Sequence, residues 1–236
     1  SFIIWTTTPW TIPSNVAVCI NGDIEYVLVK GANEHFVIAK DLLDACSNRW
    51  GFDLESLGCA QGKDIANISM AHPLYDRESI LLHGDHVNTD SGTGCVHTAP
   101  AHGLDDYFIC IKNGLESVKA LDNRGLFKEN YGTLSGLSTK KGDPVVIDML
   151  QENDALLAHK QYDHSYPHCW RHKTPVIFMS TPQWFISMEK KSLRDKAIKA
   201  IGKTNFYPPK GKERLLSMIE GRPDWCVSRQ RVWGVP

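Results

Sequence analysis

Three consecutive threonines, Thr6, Thr7 and Thr8, follow Trp5 and run into Pro9-Trp10-Thr11 near the start of the sequence. A second stretch, Gly92 to Tyr107 (GTGCVHTAPAHGLDDY), brings together His97, a proline-bounded loop and the adjacent carboxylates Asp105 and Asp106. These residue types supply hydroxyl donors, an anionic anchor for an amine and apolar walls. They supply no evident nucleophile, metal cage or phosphate loop. The set suits a cationic, hydroxyl-rich ester that is held in place while water attacks it.

Each feature also has a plainer reading. Threonine rows fit a pleated strand, and a strand over Phe2–Trp5 would carry the row until Pro9 stops it. Alternation then sends neighbouring hydroxyls to opposite faces and leaves Thr8 at a strand end, where ligand contacts concentrate. His97 alternates with Val96, so one faces inward and the other outward or into a cleft; a histidine there is often only structural. Asp105 and Asp106 fall in the first turn of an expected helix, Gly103–Asn113, where the dipole favours negative charge. Adjacent carboxylates on a helix diverge, so one can cap while the other faces a ligand, for which an ammonium is the usual partner. Gly92-Thr93-Gly94 precedes CVHTAP rather than a helix, which excludes a dinucleotide fingerprint or a P-loop. The spacing of His164, His168, Cys169 and His172 matches no familiar zinc pattern, so no metal is expected.

The positioning elements follow from periodicity and punctuation. Val16–Ile20, Glu25–Val29 and Phe36–Ala39 read as strands, with shorter ones around Ile65–Met70, Ser79–Leu82 and Asp90–Thr98. Helices are expected over Asp41–Trp50 with Gly51 as its stop, over Gly103–Asn113 with Gly114 as its cap, and over about Pro144–Glu152. A basic amphipathic helix near Met188–Ile201 reads as a solvated face, and another helix follows near Lys212–Glu220. A boundary near residue 160 divides a core, 1–160, from an extended return segment with helices, 161–236.

The length, 236 residues, is enough to bury a substantial core. Its 26 basic and 27 acidic side chains nearly cancel, so any nucleic-acid contact should be small, such as a single-stranded end. Seven cysteines without CxxC spacing argue against a disulfide scaffold and favour a reducing, cytoplasmic setting. No apolar run reaches membrane-spanning length. The start at Ser1 and the end at Pro236 suggest a piece of something larger.

At these residues the sequence resembles the editing insertion, or connective-peptide domain, of the class I isoleucyl-tRNA synthetase family. WTTTPWTIPSN (Trp5–Asn15) is similar to the family's threonine-rich signature, and GTGCVHTAPAHGLDDY to its second editing signature. SYPHCWRHKTPVIF (Ser165–Phe178), TPQWFISM (Thr181–Met188) and RPDWCVSRQRVWGVP (Arg222–Pro236) resemble the segment that returns to the catalytic core. The valyl and leucyl relatives share GTG and PAH; the HTAP-x-HG-x-DDY wording points to the isoleucyl branch. Neither HIGH nor KMSKS occurs.

The resemblance implies a mixed α/β fold built around a β-barrel-like sheet with peripheral helices. It implies hydrolysis of valine wrongly esterified to the 3′ acceptor end of isoleucine tRNA, with isoleucine rejected by pocket size. Asp106 would bind the α-ammonium, and Thr7 and Thr8 would contact the ribose and ester and order the water. Trp5, Thr6 and His97 would shape the side-chain pocket, His97 sterically before basically, with Asn15 a further signature position. No cofactor is implied for editing; ATP and magnesium would serve only isoleucine ligation, in parts of the synthetase not present here. Some of Tyr166, Trp170, Trp184, Phe185, Trp225 and Trp233 are expected to be unusually exposed. The alternatives are a module that binds the acceptor end without catalysis, a valyl or leucyl editing domain, and a freestanding hydrolase.

Overall fold

The structure, a computed structural model, describes residues 1–32, 34–161 and 163–229. The chain divides into two units, Ser1–Ser180 and the residues from Thr181 onward. Residues 163–180 belong with the first unit, where Tyr166 Oη donates to the Val176 carbonyl at 3.0 Å and Ser180 N–H to the Ala101 carbonyl at 2.7 Å.

In the first unit the strands are β1 (Ala17–Ile20), β2 (Glu25–Gly31), β3 (Glu34–Ala39), β4 (Glu55–Gln61), β5 (Ser69–Ala71), β6 (Glu78–His83) and β7 (Val96–Thr98). They form two open sheets, ordered β5-β6-β1-β7 and β3-β2-β4. The fold is thus mixed α/β, but the expected barrel-like closure is absent among the described residues. Physically, β5 and β7 are three residues each and sit at the two edges of their sheet. They offer too short a ladder to curl the sheet onto itself.

Alternation is clear where one face is buried. Val27 and Val29 of β2 are buried while Leu28 between them is exposed, as the pleat demands. Strand β4 is exposed throughout and carries no β-branched residue; its pairing with β2 makes it a strand, which is why pattern reading passes over it. The strand expected at Phe2–Trp5 is instead irregular, with only an isolated bridge from Phe2 to Val37.

Helix α1 (Leu43–Trp50) ends on Gly51 at φ 77°, as its left-handed cap requires. Helix α2 (Leu104–Lys112) buries Ile109 and Cys110 against β1 and β6 residues Cys19 and Leu82. Tyr107 and Ile111 of the same helix are exposed. Helix α3 (Thr139–Glu152) starts before the expected Pro144. The missing proline N–H is outweighed by Val146 and Leu150, which pack with Trp10, Ile12, Phe127 and Tyr131 in a second core.

The second unit pairs β8 (Phe185–Ile186) with β9 (Trp225–Cys226) and packs α4 (Leu193–Lys203) with α5 (Lys210–Glu220). The basic helix begins at Leu193 because Lys191 and Ser192 adopt left-handed φ of 57° and 54°. Arg194 donates to the carbonyls of Ile219, Glu220 and Arg222, satisfying the end of α5. Trp170, Trp184, Phe185 and Trp225 are exposed as expected, and Tyr166 is half-buried. Trp233 lies outside the described residues. All seven cysteines are free. Among the described residues no helix is long and apolar enough to cross a membrane, and no group of three metal-binding side chains is gathered.

The GTG turn has a structural task. Gly92 and Gly94 have φ of 81° and 75°, which L side chains rarely adopt. Between them, the Thr93 carbonyl accepts Ala39 N–H at 2.8 Å and its hydroxyl bonds the Ile3 carbonyl, seating the N-terminal segment beside β3. A Cβ on Gly94 would collide with that of Ala39. Gly94→Ala is therefore expected to cost about 2–4 kcal/mol, read as a drop in melting temperature of about 5 °C or more.

Candidate functional site

The site is assembled around a buried 3-10 turn, Pro9–Ser14, in which Trp10 to Ser14 are all buried. Pro9 sits at its first position, where a missing N–H costs nothing. The turn's remaining polar groups find remote partners. Trp10 N–H donates to Asp143 of α3 at 2.9 Å, and His72 Nε2 bonds the Ile12 carbonyl at 3.0 Å. Arg77 Nη2 donates to the Pro13 carbonyl at 2.5 Å. The threonine row leads into this turn.

Because that row is not a strand, its hydroxyls do not alternate. Thr6 Oγ1 accepts the Thr8 N–H at 3.0 Å, and this local bend turns Thr6, Thr7 and Thr8 onto one cavity of about 270 Å³. Trp5, Thr11, Val96, His97, Ala99, His102 and Asp106 complete its lining. All the sequence-predicted residues except Asn15 meet there. Asn15 is buried behind the wall and touches the site through His97.

His97 is half-buried, on β7, which pairs with β1. Its Nδ1 lies 2.8 Å from Asn15 Nδ2, and its Nε2 lies 3.0 Å from Thr11 Oγ1. Asn15 Nδ2 also donates to the Ala17 carbonyl at 2.8 Å, so the amide nitrogen, not its oxygen, faces the ring. Burial, reinforced by His72 and His102, pushes the imidazole down to about 3. It is neutral at physiological pH.

Asp106 stands in the first turn of α2, and its Oδ2 accepts Ala99 N–H at 2.8 Å. Burial raises its pKa above the ordinary carboxylate range, against that N–H bond, which lowers it. A Cβ on Gly103 would lie 2.9 Å from Asp106 Cγ, so glycine is what lets the carboxylate fold back toward the loop. Asp105 points away and is exposed. Among the described residues no salt bridge reaches this partly desolvated carboxylate, which faces the cavity and is suited to receive a cation.

Sequence reasoning missed Thr11, His102 and the supports behind them. Thr11 stands three residues after Thr8, where one turn returns its hydroxyl to the Thr8 carbonyl at 2.8 Å; that spacing was the available signal. His102 bonds Ser14 Oγ at 3.0 Å and the Phe178 carbonyl at 2.9 Å, with Trp10 edge-on at 4.8 Å. Nothing local in the sequence announces those partners. A larger depression in the second unit, about 590 Å³ and lined by Phe185, Ile186, Leu193 and three lysines, holds none of the motif residues.

The model for class I tRNA synthetases of the I, L, M and V group matches residues 2–236, and the chain belongs to that family. It is 50% identical over its whole length to an isoleucine--tRNA ligase of Pseudoalteromonas atlantica, covering 26% of that protein. A second, of Colwellia psychrerythraea, is 48% identical over 99% of the chain and 25% of its own length. The chain thus spans about a quarter of the curated relatives it matches. Among solved structures, GlLeuRS-CP1 aligns with a TM-score of 0.56 at 14% identity, covering 68% of this chain and 84% of that one. The P. knowlesi cytosolic leucyl-tRNA synthetase editing domain gives 0.53 at 12% identity, over 64% and 81%. At such identities the likeness is one of fold, that of the synthetase editing insertion.

Buried His72 and the half-buried His97 and His102 carry an electrostatic consequence. His72 is pushed down to about 4 by burial and then by Arg77, and His102 is lowered by burial. With His97, all three have folded pKa values below the ordinary value of about 6.5. Unfolding then takes up protons once the pH falls below about 6.5, and stability declines from there down toward the folded values near 4 and 3. The melting temperature should fall by about 5 °C or more between pH 7 and pH 5; a flat profile would contradict the neutral assignment.

Proposed function

We propose that this chain is the proofreading segment of an isoleucyl-tRNA synthetase, hydrolysing the ester of valine misattached to isoleucine tRNA. The observation that carries the reading is one cavity lined together by the threonine row, His97 and Asp106. The sequence identity to isoleucine--tRNA ligases supports the isoleucine branch, and the fold likeness supports editing rather than ligation. Its partners would be the acceptor end of the tRNA and the rest of a cytoplasmic synthetase, with residues 161–236 leading back to the catalytic core. Isoleucine ligation, with its ATP and magnesium, would belong to that core.

The need for a second site follows from binding energetics. An apolar pocket gains only about 1–3 kcal/mol from one methylene, a limit for which isoleucine against valine is the established illustration. A smaller pocket inverts the problem by admitting valine and excluding isoleucine. Asp106 would grip the α-ammonium, fixing the ester carbonyl over Thr7 and Thr8, whose hydroxyls can hold the ribose and a water. Water adds to the carbonyl carbon, the acyl–oxygen bond breaks, and the ribose oxygen leaves with a proton. Preorganised donors can stabilise the oxyanion without a covalent intermediate. With both ring nitrogens committed, His97 serves as a wall rather than a base.

Two outcomes test this. Asp106→Asn keeps an acceptor for Ala99 N–H and removes a charge that burial disfavours, so it should fold with an unchanged or higher melting temperature. Its hydrolysis of Val-tRNA should fall by about 100-fold or more; wild-type turnover would sink the ammonium anchor. His97→Ala should enlarge the cavity so that Ile-tRNA is deacylated, measured as ester loss over time, whereas retained discrimination would refute the steric gate.

A further inference from the structure

We propose that Thr11 is the positioning residue of the pocket, holding His97 in one orientation and one tautomer and tying that ring to the backbone of the threonine row. The proposal rests on the hydrolytic reading above and adds to it the group that sets the pocket's size.

The hydrogen bonds can run in one direction only. Asn15 Nδ2 donates at 2.8 Å, so His97 Nδ1 must accept and carry no proton. A neutral ring then bears its hydrogen on Nε2, which donates to Thr11 Oγ1 at 3.0 Å. Reading from the other end gives the same answer. Thr11 has a single hydroxyl proton, and it goes to the Thr8 carbonyl at 2.8 Å, so Thr11 can only accept from the ring. Asn15 cannot turn over, because its oxygen would then meet both the Ala17 carbonyl and His97 Nδ1. Both Thr11 and Asn15 are buried, so water does not compete for these bonds.

Two consequences follow. First, with both nitrogens used, the ring meets the acyl side chain through carbon atoms alone, as an apolar wall at a fixed place. A rigid wall makes a sharp size limit, whereas a swinging one would admit a further methylene. Second, the Thr8 carbonyl takes both the N–H and the hydroxyl of Thr11, at 3.0 and 2.8 Å, so wall and hydroxyl row cannot move independently. The titratable groups around the ring are His72 and His102 behind and beside it, and Asp106 across the cavity. Burial lowers both histidines from the ordinary value, and Asp106 is engaged with Ala99. With Thr11 Oγ1 gone, Asn15 still requires an unprotonated Nδ1, but the Nε2–H side of the ring loses the acceptor that fixes its place.

The test combines kinetics with a direct view of the ring. Thr11→Val preserves shape and removes both hydroxyl roles. It is expected to raise deacylation of Ile-tRNA relative to Val-tRNA by about tenfold or more. In nitrogen-15 NMR, His97 should be the Nε2–H tautomer in the wild type, and its Nε2–H signal should lose its hydrogen-bonded shift in the variant. Thr11→Ser, which restores the hydroxyl, should reverse both changes. Unaltered discrimination in Thr11→Val, failure of serine to rescue, or an Nδ1–H tautomer in the wild type would each overturn the proposal. Should Thr11→Val not fold, the wild-type tautomer and the serine variant decide it alone. Wild-type protein that leaves Val-tRNA intact would refute the hydrolytic reading instead, while the tautomer would still report on the tether.

Discussion

A buried turn with few hydrogen bonds of its own is the constraint on which the rest of this structure depends. Pro9–Ser14 is packed against α3, away from water. A single 3-10 turn satisfies few of its backbone groups internally, and each group left unpaired in such a place costs about 1–3 kcal/mol. Asp143, His72 and Arg77 answer this from distant parts of the chain, and Ser14 is met by His102 and the Ala120 N–H. The turn therefore acts as a hub at which separate segments must arrive together.

The candidate site inherits its order from that hub. The threonine row enters the turn and Asn15 leaves it, so the two ends of one short segment flank the wall made by His97. The groups that make the cavity useful are also the ones burial treats worst. Burial raises the pKa of Asp106 and lowers those of three histidines. An ammonium bound at that carboxylate would relieve part of its desolvation cost. Stability and ligand preference are thus set by the same desolvated atoms.

Much of the architecture was legible in residue order. The valine and isoleucine alternation of β2 and β3, the Gly51 stop and the Gly114 cap are local matters, decided within a few residues. The edge strand β4 was not, since its sequence has no strand pattern and only pairing with β2 defines it. Sheet closure failed as an expectation because strand length and edge geometry are collective properties. The helix of α3 ran through the region before Pro144, since packing of Val146 and Leu150 outweighed one lost hydrogen bond.

The same division holds at the site. Residue order alone determined which side chains are capable of the chemistry: a hydroxyl row, a histidine and one of two carboxylates, all within two short motifs. It determined this because donors, acceptors and charges are properties of residue types. Only the tertiary structure decided that Thr6, Thr7 and Thr8 share a face, that Asp106 rather than Asp105 turns inward, and that His97 has no nitrogen to spare. The last depends on partners 80 or more residues away, Asn15 and Thr11 for His97, and no local pattern records which distant atom will accept a proton.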